Sequence, residues 1–170
     1  MRATRDGTDR EVALLLEALD RAFDRVSWHG PNLRGAVRGL SPAEAVWRPR
    51  PDRHNIAEHV LHATYWKYTV RRRLLGEKRG SFGLKGSNWF PVPGPLSGSD
   101  WAGLVRNLST DHWALREAVA GLTPDLLDGA PDGGSGKFTR RAIILGVAAH
   151  DVYHAGQIQL LKRLQDRAKG

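Results

Sequence analysis

Apolar residues recur at steps of three and four along four long stretches of this 170-residue chain, and no stretch alternates convincingly at a step of two. A period near 3.6 without a period of 2 restricts the chain to helices packed on helices. The first stretch follows Thr8-x-x-Glu11, a capping box that can satisfy the free amides of a helix start, and carries Val12, Leu15, Leu16, Leu19, Phe23 and Val26 before Gly30-Pro31. The second opens at Asn55 with Glu58 three residues on, the third at Asp100 or Ser99, and the fourth at Thr139. These signals predict long helices at about 9–28, 55–75, 100–121 and 139–167, in one domain over 1–170. A short piece, "LSPAEAVWRPRP", has Ser41 as cap, Pro42 at the first helical position, Glu44 to complete the box and Pro49 to end it. Between the second and third helices lies "GEKRGSFGLKGSNWFPVPGPLSGSD", too rich in Gly and Pro for regular structure. A connection this long suits a crossover between helices that are not antiparallel neighbours. The expected fold is all-α, a four-helix bundle.

Two histidines interrupt the apolar stripe of the fourth helix. In "VAAHDVYHAGQIQLLKRL", helical projection places Ile143, Val147, His150, His154, Gln157 or Ile158, Leu161 and Leu164 along one face. Side chains at i and i+4 stand ~5–6 Å apart at Cβ, close enough for two imidazoles to meet one ion. A catalytic metal centre usually takes three protein ligands and keeps a position open. The second helix, "NIAEHVLHATYWKY", offers His59 and His62, ~60° apart around the axis. Periodicity alone leans toward His59, nearer the stripe of Ile56, Ala63 and Val70, without deciding. The bland alternative is a set of core histidines held by hydrogen bonds. The chain has no cysteine, so any metal chemistry falls to His, Asp and Glu. HExxH is absent, and no glutamate has a histidine three residues on. This removes the zinc-peptidase and di-iron bundle patterns and leaves a mononuclear three-histidine site.

Composition narrows the class further. With 41% apolar and 26% charged residues the chain reads as globular. The start, "MRATRDGTDREV", has no apolar core of a secretory signal, and no apolar run nears the ~20 residues of a membrane span, so a cytoplasmic protein is expected. The net charge of +8 raises nucleic acid as a partner. The basic residues are scattered, and the densest run, "KYTVRRRLLGEKR", falls at a helix end where cations complement the dipole. A solvated Arg-rich surface is the preferred reading.

The pieces "LSPAEAVWRPRP", "NIAEHVLHATYWKY", "SNWFPVP" and above all "AAHDVYHAGQIQLLKRL" resemble the DinB-like (DinB/YfiT) family of small metal-dependent helical bundles. The resemblance covers nearly the whole chain. It implies an up-down-down-up bundle with a long crossover between the second and third helices. It also implies a divalent metal (Zn, Ni, Fe or Mn) on one histidine of the second helix and the HxxxH pair of the fourth. The family's pattern, a histidine followed by a small residue and an aromatic pair, falls on His62-Ala63-Thr64-Tyr65-Trp66 and so favours His62. The implied ligands are His62, His150 and His154, with Asp151, Glu58 or backbone carbonyls as hydrogen-bond partners behind them.

Three neutral imidazoles leave an ion its charge, so it can lower the pKa of a bound water or thiol. The resemblance implies a thiol-dependent S-transferase that uses a low-molecular-weight thiol on small electrophiles. The alternatives are a hydrolase of a small ester or amide and a bundle that binds metal or ligand without turnover. Family members are often homodimers, so self-association is a further expectation. Trp89 and Phe90 in the crossover either pin it to the bundle or lid the site, and pinning is preferred. His29, His54 and His112 are expected near helix ends or on surface faces, with no role.

Overall fold

The computed structural model describes residues 5–80, 82–132 and 136–168, with side chains from Arg10 onward. The described residues are all-α, with seven helices and no strand. These are α1 (Arg5–Phe23), α2 (Leu33–Val37), α3 (Pro42–Val46), α4 (Ile56–Leu74), α5 (Gly98–Ala120), α6 (Pro124–Leu127) and α7 (Arg140–Ala168). None is long and apolar enough to cross a membrane. Among the long helices, α4 packs on α5 and α7, and α1 packs on the same two.

Local chemistry fixes most of the boundaries. Ser41 and Glu44 form the expected capping box of α3, and Asn55 and Glu58 form that of α4. Thr139 Oγ1 accepts from the Ala142 amide at the start of α7. The third long helix begins earlier than expected because Ser97, not Ser99 or Asp100, is its cap. Ser97 Oγ accepts from the Asp100 amide at 3.0 Å, and Asp100 falls in the first turn, where its charge suits the dipole. Helix α4 closes through Gly76, whose φ of +66° lets the Glu77 amide reach the Arg72 carbonyl at 2.9 Å.

Helix α1 differs from expectation at both ends. It extends back to Arg5, so Thr8 lies within it rather than at its cap. It stops at Phe23, because the amides of Asp24 and Arg25 both turn back to the Asp20 carbonyl and Asn32 Nδ2 then holds the Arg25 carbonyl at 2.8 Å. Val26 therefore leaves the apolar stripe and stands 91% exposed.

The core divides into two clusters. One contains Phe23, Ile56, Ala57, Val60, Trp101, Leu108, Ala155, Ile158 and Leu161; the other contains Val12, Leu15, Leu19, Val70, Leu74, Leu115, Val119, Ile144 and Val147. Between them runs a polar seam. Lys67 of α4 and Asp151 of α7 are ion-paired with both side chains 0% exposed. The Lys67 ammonium also lies 3.4 Å from His112 Nδ1 on α5 and over the ring of Phe23, the last residue of α1. His112, expected near a surface, is fully buried and stacked on Phe23 at 3.7 Å.

A second carboxylate ties the crossover to the start of α4. Glu58 accepts from both outer nitrogens of Arg48, at 2.9 and 2.5 Å, and from the backbone amides of Asn55 and Val92. Asn55 Nδ2 reaches the Val92 carbonyl at 2.9 Å. Burial works to raise the Glu58 pKa, but the hydrogen bonds from Arg48, Val92, His54 and Asn55 prevail and hold it down at about 2.

Two outcomes are expected. Asp151→Ala or Lys67→Ala, each stranding a buried charge, costs ~3–5 kcal/mol in urea unfolding, whereas the joint replacement Lys67→Met with Asp151→Leu costs much less than the sum. Because the folded pKa of Glu58 lies below its unfolded value, its contribution is complete above about pH 4.5 and is lost as pH falls toward 2. Glu58→Gln, followed by melting at a series of pH values, should show a flatter stability profile across that window.

Candidate metal centre

Helices α4 and α7 cross with their histidines facing. His62 Nε2 lies 3.0 Å from His150 Nε2, and His154 Nε2 lies 3.0 Å from the same atom. The ligand atoms of His62, His150 and His154 fall within 4.8 Å of one another. The HxxxH spacing sets the α7 pair one turn apart on a single face, and the third nitrogen comes from α4.

The outer nitrogens decide which atoms are free to coordinate. His62 Nδ1 lies 2.8 Å from the Asn88 carbonyl, which can only accept, so His62 carries its proton on Nδ1 and presents a bare Nε2. His154 Nδ1 lies 3.0 Å from His59 Nδ1. A proton on His154 Nδ1 donated to His59 leaves the His154 Nε2 lone pair in the cluster. His150 Nδ1 is buried without a hydrogen-bond partner among the described residues. A proton on His150 Nε2 serves at most one facing lone pair well, whereas a cation serves all three. A metal–nitrogen bond of ~2.0–2.1 Å spans nitrogens at this separation, so the donor set fits a divalent ion.

Electrostatics point the same way. Burial depresses the pKa of all four imidazoles, with the neighbouring histidines adding repulsion: His59 and His150 fall to about 4, and His154 to about 2. For His62 burial outweighs the opposing Asn88 hydrogen bond, and its pKa is also lowered. At neutral pH each ring is in the uncharged form that binds metals.

His59, the choice of periodicity, stands behind the cluster as the hydrogen-bond partner of His154. Of the partners expected behind the ligands, a backbone carbonyl is found, that of Asn88 on His62, whereas the two carboxylates are otherwise engaged: Asp151 turns to Lys67, and Glu58 to Arg48 and His54. The stripe on α7 is also rotated from its expected position. Ile144, Asp151, Ala155 and Ile158 are its buried centre, Leu164 is 37% exposed, and His150 lies half-buried at the edge. That edge position turns His150 toward a cavity of about 490 Å³, which His62 also lines, with Trp66, Val70, Ile143 and Val147 among its walls.

The crossover completes the site. Phe90 is buried in the core and pins the segment as expected. Trp89 lies between two imidazoles, stacked on His54 at 3.7 Å and on His62 at 3.9 Å, with the planes within 4° and 11° of parallel. Asn88 adopts φ +70°, a left-handed conformation that Asn tolerates better than most residues. From there its carbonyl meets His62 and its Oδ1 accepts from Trp66 Nε1 at 3.0 Å. The sequence reading missed this role of Asn88; an Asn beside two aromatics in a Gly-rich segment was the available signal. Tyr153, the sequence neighbour of His154, is 61% exposed.

Zinc titration should give one equivalent per wild-type chain and none in His62→Ala, His150→Ala or His154→Ala. His59→Phe and Trp89→Ala should retain one equivalent at ~10- to 100-fold lower affinity, measured by competition with a chromogenic chelator. Loss of binding in His59→Phe with retention in His62→Ala would make His59 the third ligand.

No curated protein and no solved structure gives a significant match to the chain. A family model described as the DinB superfamily matches residues 25–158, a span that includes α4, the crossover, α5 and both histidines of α7. The three-histidine cluster thus falls within the matched region, and the chain belongs to the DinB superfamily.

Proposed function

We propose that this protein holds one divalent metal ion through His62, His150 and His154, and uses it to join a low-molecular-weight thiol, through its sulfur, to small electrophiles, with release of the thiol proton and the electrophile's leaving group. The observation that carries the reading is the convergence of three Nε2 atoms, two of them from residues that line a largely apolar cavity. The reading takes the chain as one four-helix bundle with up-down-down-up directions. Core membership supports this: the starts of α4 and α5 share a cluster with the ends of α1 and α7, and their ends share the other with the starts of α1 and α7.

An ion at the site supplies Lewis acidity that lowers the pKa of a thiol. The chain's own residues then do the rest. Trp66, Val70, Ile143 and Val147 exclude water and hold an apolar substrate body beside His62 and His150. No described residue lining that cavity is a carboxylate, so a hydrolase would lack a general base there, which favours thiol transfer over hydrolysis. The fully exposed Trp28 and the exposed Leu145, Tyr153 and Leu160 of α7 are apolar surface that a homodimer would cover.

Metal-loaded protein should consume a thiol and an electrophile such as chlorodinitrobenzene in equal amounts, with the thioether product identified by mass. His154→Ala should abolish this. Turnover of a nitrophenyl ester without thiol, and no thioether in any thiol screen, would replace this reading with the hydrolase.

A further inference from the structure

The cavity beside the histidines has a charged far end. On α4 the residues facing it are His62, Trp66, Val70 and Arg73, at steps of four, four and three. Its other wall comes from α7, through Ile143, Val147 and His150. It is therefore a channel along two helices, with candidate ligands at one end and a guanidinium at the other. Eleven residues at ~1.5 Å each separate His62 and Arg73 by ~16 Å along the axis. Helical side chains lean toward the N-terminus, and the longer Arg73 reaches further that way than His62, so the gap between the two groups is somewhat shorter than this, the span of a chain of several carbons.

Arg73 differs from its two neighbours in having no ion-pair or hydrogen-bond partner among the described residues. Arg71 is ion-paired with the Glu77 carboxylate at 3.7 Å, and Arg72 donates to the Glu77 carbonyl at 2.7 Å. Arg73 is half-buried, has no ion-pair partner among the described residues, and its Nε is buried without an acceptor. An Nε–H withdrawn from water without an acceptor is unfavourable until one arrives, and the outer nitrogens of the fork remain open to a ligand. The adjoining cavity, of about 730 Å³, shares Trp66, Arg73 and Asn88 with the first; it is also lined by Arg72, Arg79 and Lys85, and by no carboxylate. The carbonyls of Arg71, Arg72 and Arg73 at the end of α4 are taken by the amides of Leu75, Glu77 and Gly76.

We propose that Arg73 is the binding residue for a carboxylate on the substrate, so that the site takes a small amphipathic anion: a reactive group at the histidines, an apolar body along Val70 and Val147, and a carboxylate on the Arg73 fork. The planar guanidinium matches a carboxylate with two parallel hydrogen bonds. This rests on the proposed function for the reactive end, while the carboxylate end stands on Arg73 alone.

Two pairs of probes test the ends separately. Cobalt-loaded protein is titrated with mercaptohexanoate and with neutral mercaptohexanol, read by thiolate-to-cobalt absorption. Metal-free protein is titrated by calorimetry with hexanoate and hexanol. In both formats the acid should bind about tenfold or more tighter than the alcohol, as a charge-assisted pair requires. That ratio should fall to near one in Arg73→Gln and to an intermediate value in Arg73→Lys, with circular dichroism confirming folded protein. Equal binding of acid and alcohol by the wild type, no saturable binding of the acid, or an undiminished ratio in Arg73→Gln overturns the assignment. Thiols that leave the cobalt spectrum unchanged, beside an intact Arg73-dependent preference for hexanoate, would refute the metal–thiol reading and leave the carboxylate site supported.

Discussion

One buried ammonium touches all four long helices. Lys67 on α4 pairs with Asp151 on α7, approaches His112 on α5 and lies over Phe23 at the end of α1. An ion pair with no solvent access tolerates no slippage, because a shift of one turn, ~5.4 Å, would strand both charges. The apolar clusters on either side could accommodate small sliding more easily than this pair could. Asp151 is the immediate neighbour of His150, and Lys67 follows His62 by little more than one turn. The pair that fixes the register of α4 against α7 therefore fixes which imidazoles face each other. The histidine cluster and the polar seam are one arrangement seen from its two ends.

Around that register the crossover acts as a structural part of the site rather than a passive link. Glu58 and Asn55 hold Val92 at the start of α4, Phe90 fills the core, and the preceding Asn88 and Trp89 are thereby pressed against His62. The loop supplies the acceptor that sets the tautomer of His62 and the ring that stacks on it. A long Gly-rich segment becomes ordered where it has aromatic and hydrogen-bonding anchors, which explains why "SNWFPVP" interrupts it. The half-buried edge position of His150 then opens the centre to the apolar channel ending at Arg73.

The all-helical fold and the capping boxes at Ser41 and Asn55 were legible because they rest on local spacing and on hydrogen bonds within one turn. The HxxxH pair was legible for the same reason. The choice between His59 and His62 was not, since Asn55 through Thr64 are all buried and such a helix has no single face for periodicity to select. Only the resemblance of His62-Ala63-Thr64-Tyr65-Trp66 to a family pattern pointed to the histidine that joins the cluster. The Lys67–Asp151 pair, the Lys67–His112 approach and the contacts of Asn88 with Trp66 and His62 join residues 84, 45, 22 and 26 positions apart, and no local pattern announces them. The early end of α1 was hidden because Val26 continues the apolar period while the backbone has already turned.

The central claim is that three Nε2 atoms from α4 and α7 hold one ion and leave it accessible. X-ray absorption at the zinc edge, on protein loaded with one equivalent, tests this most directly. The account predicts three imidazole nitrogens at ~2.0–2.1 Å with a lighter, exchangeable ligand beside them, and replacement of that ligand by sulfur when a thiol is added. Two or fewer imidazoles, or a spectrum unchanged in His150→Ala, would contradict it.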